Sequence, residues 1–152
     1  MAQEHVDIAD GERHEPKGAA SATIGEIWQS DGAESGSFKQ PTVALTVKME
    51  NIGTAQSVWV VAPFAAEIET IYSIINAALT TADESITVEI NGVAVGGGNI
   101  TITQSGSAAG DLDSATPTGA KTVAAGDKIE IISAGSSAGT VDATFTLILR
   151  GN

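Results

Sequence analysis

ESITVEING, residues 84–92, alternates branched apolar and polar side chains without a break. Ile86, Val88 and Ile90 fall on one side, and Thr87, Glu89 and Asn91 on the other. A period of two is the signature of a half-buried β-strand. The stretch ends in Asn91-Gly92, a strong hairpin signal, because a two-residue type I′ turn needs positive φ at both central positions.

The same rhythm recurs outward from this segment. TVALTVKME (42–50) sets Val43, Leu45, Val47 and Met49 against Thr42, Ala44, Thr46 and Lys48. SVWVVAP (57–63) follows the NIGTAQ turn and stops at Pro63, which cannot continue a central ladder. NITITQS (99–105) alternates again. KTVAAGDKIEIISAG (121–135) places Gly126-Asp127 ahead of a strand carrying Ile129 and Ile131. TVDATFTLILRG (140–151) lines up Val141, Ala143, Phe145, Leu147 and Leu149 on one face. Between them, SGSAAGDLDSATPTGA (105–120) reads as a long polar loop.

One segment is ambiguous. In FAAEIETIYSIINAAL (64–79), Ile68, Ile71, Ile74 and Ile75 fit helical spacing, but the branched cluster and the flanking strands favour a strand. The count comes to about eight strands over 41–152. With no crossover helix to build a parallel sheet, the expected fold is an all-β, antiparallel jelly-roll β-sandwich. Alanine at several inward positions implies a thin core that gains from association with other copies.

Residues 1–40 are different. Residues 1–23 carry much charge and few large apolar groups, too few to fold alone, and read as an extended arm. Pro16 pushes Glu15 toward extended geometry, and Gly18 permits a turn after it. A small hairpin is expected at 23–40, with the Asp31-Gly32 turn signal between Trp28 and Phe38, bringing those two rings together. Two strands alone are marginal in water, so the hairpin needs a surface to pack on.

The chain has 152 residues, 19 acidic against 7 basic, and a formal net charge of −12. That balance disfavours nucleic acid and anionic membranes, whose binding rests on Lys and Arg. There is no apolar run of transmembrane length and no signal-peptide apolar stretch, and cytoplasmic synthesis is the simpler expectation. With no cysteine, disulfide and thiolate chemistry are excluded.

Catalytic signatures are weak. His5 and His14 are the only histidines, and both fall in the arm, where nothing aims them at a metal or a serine. No G-x-S-x-G elbow joins a strand to a helix. Glu67 and Glu69, at i and i+2 on a strand, are expected to share a solvated acidic face rather than flank a glycosidic bond. GDLDS (110–114) has clustered oxygen ligands but lacks the full calcium-loop pattern. GVAVGGGN (92–99) fits hairpin geometry better than a phosphate loop, since no helix follows. Trp59 and Tyr72 are the candidate aromatic platforms for a sugar. The expectation is therefore no enzyme, no cofactor and no metal.

Two parts of the chain resemble a group of tailed-phage virion proteins. HEPKGAASATIGEIWQSDGAESGSF (14–38) is similar to their N-terminal arm-and-hairpin segment. VWVVAPFAAEIETIYSIINAALTTADESITVEINGVAV (58–95) and GNITITQSGSAAGDLDSATPTGAKTVAAGDKIEI (98–131) resemble their β-sandwich domain. The resemblance implies a head decoration, or cement, protein on the outer capsid surface of the virion. It would be a homotrimer that binds the major capsid protein and clamps neighbouring capsid subunits. On that reading His14, Glu15, Pro16, Lys17 and Gly18 are the capsid-binding candidates of the arm, and Trp28 and Phe38 pack against capsid or a sister subunit. The alternative is a carbohydrate- or receptor-binding module of a tail fibre or tailspike.

Overall fold

The computed structural model describes Ala22, residues 25–30 and residues 36–152. The chain divides into two units, Met1–Pro41 and Thr42–Asn152. In the first, β1 (Ile27–Ser30) and β2 (Gly36–Lys39) form an antiparallel hairpin in which Trp28 is paired with Phe38. The Asp31-Gly32 turn and the arm residues His14 to Gly18 lie outside the described residues.

The second unit holds β3 (Thr42–Met49), β4 (Gln56–Val61), β5 (Ala66–Ile75), β6 (Glu84–Ile90), β7 (Val93–Ala94), β8 (Ile100–Ile102), β9 (Leu112–Ala115), β10 (Thr122–Val123), β11 (Lys128–Ser133) and β12 (Ala143–Gly151). One sheet runs β3–β12–β5, with β9 and β10 sharing the far edge of β5. The other runs β4–β11–β6, with β7 and β8 sharing the far edge of β6. Every pairing is antiparallel. The chain crosses from sheet to sheet at β3→β4, β4→β5, β5→β6, β8→β9, β10→β11 and β11→β12. Sheets β3–β12–β5–β9 and β4–β11–β6–β8 are the two halves of an eight-stranded jelly roll.

Alternation decides which side chains meet between the sheets. Ala143, Phe145, Leu147 and Leu149 of β12 are buried against Ile86, Val88, Ile129 and Ile131 of the opposite sheet. Each fully buried Ile contributes about 1.5–3 kcal/mol. Along β3 and β4, the adjoining edge strands of the two sheets, Val43, Leu45, Val47, Val58 and Val60 are only partly buried.

The ambiguous segment is a strand, and a β-bulge accounts for its helix-like spacing. Against β12, Thr70 pairs with Ile148 and Ile68 with Leu149, so Glu69 has no partner. The extra residue puts Glu69 and Thr70 both outward, and Ile68 and Ile71, three apart, both inward. Ile74 is outward and exposed. The reading of 105–120 as one loop is corrected: Leu112–Ala115 is β9, paired with Ile71–Ile74. Four residues bearing Asp and Ser on an outer edge leave no apolar alternation to read.

One end of the sandwich is organised by a buried carboxylate. Glu84, 0% exposed, opens β6. Its Oε1 accepts from Gly135 N at 2.8 Å and lies 3.0 Å from Ser133 Oγ, while Oε2 accepts from Ser136 N at 2.7 Å and Ser137 N at 3.0 Å. The Ser133 hydroxyl also reaches the Ile52 carbonyl. Asn51 Oδ1 accepts from Gly53 N and Val141 N, so the β3–β4 turn and the β11–β12 loop are tied together. A Cβ on Gly53 would lie 2.6 Å from the carbonyl oxygens of Ser137 and Gly139. One on Gly135, at φ +71°, would collide with the Ala55 amide. Side chains at these two positions would force the segments apart.

Glu84→Ala removes the acceptor for three backbone N–H groups at once. It is expected to destabilise the domain by about 3 kcal/mol or more, read as a lowered urea midpoint, whereas exposed Glu50→Ala should stay within about 0.5 kcal/mol of the parent. Gly135→Ala should also be strongly destabilising, because the left-handed φ and the collision add.

Candidate functional site

Among the sequence-derived candidates, Trp28 and Phe38 are brought together. Their ring centroids lie 5.2 Å apart at 66°, an edge-to-face pair worth about 0.5–1.5 kcal/mol beyond its burial. Gly36 leaves room for the indole: a Cβ there would stand 2.8 Å from Cζ2 of Trp28 and would strike the Gln29 carbonyl. Both rings are half-buried.

Glu67 and Glu69 do not form a free acidic face. Glu67 pairs with Lys121 at 2.8 Å and Glu69 with Arg150 at 2.7 Å, the latter from the bulge that breaks i, i+2 alternation. Asp142 is held by Lys48 at 2.9 Å and by Asn76 Nδ2 at 2.9 Å. Both contacts, Lys48 first, hold its protonation below the ordinary carboxylate range, and Asp142 in turn raises Lys48. Asp127 is lowered in the same sense, first by the Ala124 backbone N–H and then by Asn91.

Residues 135–139, GSSAG, have G-x-S-x-G spacing, but they lie in the loop between β11 and β12 with no helix after them. Ser137 is 2% exposed and spends its amide on Glu84, so the spacing serves the loop clasp. The glycines of 92–99 serve backbone pairing. Asn91 (φ 50°) and Gly92 (φ 84°) form the expected type I′ turn, and Gly96 exchanges backbone bonds with Thr118 and Gly119.

Two surface features remain. One is a cleft of about 280 Å³ between the β8 end and β9, lined by Thr103, Ser105, Ser107, Asp111, Leu112 and Asp113. Burial, then the neighbouring Asp111, pushes the Asp113 carboxyl up, while Asp111 Oδ2 is occupied by Ala108 N at 2.7 Å. No group of three or more His, Cys, Asp and Glu side chains with metal-ligating geometry occurs among the described residues, so GDLDS gains no third ligand of those types.

The other is the outer face of the β4–β11–β6 sheet. Trp59, 56% exposed, stands in register with Glu130, which is in register with Glu89. Asn91, Gly92, Lys128, Glu130 and the indole border a depression of about 40 Å³. The alternation of SVWVVAP already carried the signal, since Val58 and Val60 inward force Trp59 and Val61 outward. Tyr72, the other aromatic candidate, is half-buried at the centre of the opposite sheet's outer face, in register with Thr146 and Ser114.

No family model matches the chain, and no curated protein does. Among solved structures, it is similar to the carbohydrate-binding module CsCBM6-3 from Clostridium stercorarium, solved with cellobiose, at 17% identity and a TM-score of 0.43 over 86% of this chain and 84% of that one. It is also similar to the catalytic domain of a GH87 alpha-1,3-glucanase solved with nigerose, at 14% identity and a TM-score of 0.39, spanning 86% of this chain but 29% of that one.

The charge pairs fix an acid dependence. A carboxylate whose protonation is depressed in the fold contributes stability that is complete above its ordinary value of about 4 and is lost as pH falls through the depressed one. Asp127 and Asp142 both act in this direction, and Asp113, raised, acts in the opposite one. Urea midpoints should therefore fall below about pH 4, and Asp142→Asn should flatten that fall and weaken its sensitivity to salt.

Proposed function

We propose that this chain is a non-catalytic virion protein, a head decoration or cement protein that binds the major capsid protein on the outer capsid surface. The observation that carries the reading is its two-part construction. Residues 42–152 close their own core in a jelly roll. Ile27–Ser30 and Gly36–Lys39 pair as two short strands with one aromatic pair, too small to be stable by themselves. The likeness of residues 14–38 to phage arm-and-hairpin segments supports attachment by residues 1–40, with His14, Glu15, Pro16, Lys17 and Gly18 as the gripping stretch. Repeated sites on a symmetric shell would strengthen such attachment by avidity. Half-buried valines on the β3 and β4 edges support association of copies as a homotrimer. The net charge of −12 keeps an outer-shell protein soluble and away from DNA.

Deletion of residues 1–22 is expected to abolish co-sedimentation with heads lacking this protein while leaving a folded body of three times the chain mass. Retention of binding by the truncated chain would remove the arm from the mechanism, and a monomeric mass would remove the trimer.

A second reading, a carbohydrate- or receptor-binding module of a tail fibre or tailspike, is favoured by one observation: an exposed tryptophan bordered by unpaired polar groups on the body.

A further inference from the structure

We propose that the outer face of β4 and β11 is a saccharide-binding platform, with Trp59 as its floor and Glu130, Lys128 and Asn91 as its polar rim. The inference gives the second reading a site and a ligand class, a chain of hexopyranose units, and it does not depend on capsid attachment.

The indole is outward because Val58 and Val60 are committed to the core side of β4. Exposing so large an aromatic surface forfeits burial energy unless a ligand covers it. Val61, two residues along and 58% exposed, extends the apolar floor by about 7 Å, the scale of one further sugar ring.

The rim separates this patch from a protein-docking surface. Three of the four basic side chains in residues 42–152, Lys48, Lys121 and Arg150, hold carboxylates within 3.2 Å. Lys128 and Glu130 are on the same strand and the same face, yet neither has an ion-pair or side-chain hydrogen-bond partner among the described residues. An apolar partner would desolvate both charges without compensation. A sugar offers an apolar C–H face to the indole and hydroxyls that both donate and accept, so one ligand satisfies the floor, the ammonium and the carboxylate together. The depression of about 40 Å³ is far below the roughly 300 Å³ of an enclosing ligand pocket, so the ring lies on the surface rather than within it.

The rim is also fixed in advance. Asn91 N donates to the Lys128 carbonyl at 3.0 Å, Lys128 N donates to Asn91 Oδ1 at 3.1 Å, and Asn91 Nδ2 donates to Asp127 Oδ1 at 2.8 Å. Asp127 Oδ2 in turn accepts from Ala124 N at 2.7 Å. These bonds leave one amide hydrogen and one lone pair on the Asn91 carboxamide for a ligand. A rim held this way loses little freedom on binding.

The test is a titration of the full chain with soluble tetrasaccharides built from glucose, galactose, mannose and N-acetylglucosamine, followed by calorimetry and by the indole N–H resonances. At least one should bind saturably with a Kd between about 10 μM and 10 mM and shift the Trp59 resonance but not that of Trp28. Trp59→Ala should weaken binding by about tenfold or more, Trp59→Tyr should recover part of it, and Glu130→Gln should cost about threefold to tenfold. Both positions lie on the surface, and circular dichroism checks that each of the three variants is folded. No binding by any of the four sugars at about 10 mM, binding indifferent to Trp59→Ala, or a shift at Trp28 instead would overturn the proposal. Head co-sedimentation of Trp59→Ala, expected to equal the parent's, separates this result from the capsid reading.

Discussion

The body of this protein depends on one carboxylate kept away from water. Glu84 starts β6 inside the sandwich, where an ionised side chain without partners would be far too costly. It is tolerated because the loop after β11 turns three consecutive amides onto it, from Gly135, Ser136 and Ser137. The loop conformation that supplies those amides requires Gly135 in a left-handed φ and backbone contact with the β3–β4 turn at Gly53 and Ala55. The carboxylate, two glycines and Asn51 thus form one unit that fixes where the chain crosses between sheets. The strand pairings of β3, β4, β11 and β12 begin or end at this knot.

Much of the sandwich was legible because alternation is a direct record of burial. Ile86/Val88/Ile90 and Phe145/Leu147/Leu149 face the core as their spacing requires. The features that escaped are those in which period two fails. The bulge at Glu69 imitates a helix by moving Ile68 and Ile71 to one face, and β9 has only Asp, Ser, an outward Leu112 and a small inward Ala115 to show. The Glu84 knot was illegible for a different reason. A glutamate at the head of an alternating strand looks like any solvent-facing residue until the distant loop that covers it is in place.

The candidate sites divide in the same way. The Trp28–Phe38 pair follows from sequence proximity and a hairpin, and Trp59 follows from alternation. The pairing of Glu67 with Lys121 and of Glu69 with Arg150 required tertiary placement, and it dissolves the acidic face that spacing alone implied. On the body, three of the four basic side chains are spent on carboxylates, and the fourth, Lys128, borders an uncovered indole together with Glu130.

The most direct measurement of the proposed attachment is a density map of a phage particle assembled with this chain. The account predicts jelly-roll density on the outer surface of the head, residues 1–40 following the capsid surface, and the Trp59 face of β4 and β11 turned toward solvent. Density for the chain at the tail instead of the head, or a Trp59 face buried against the capsid, would contradict it.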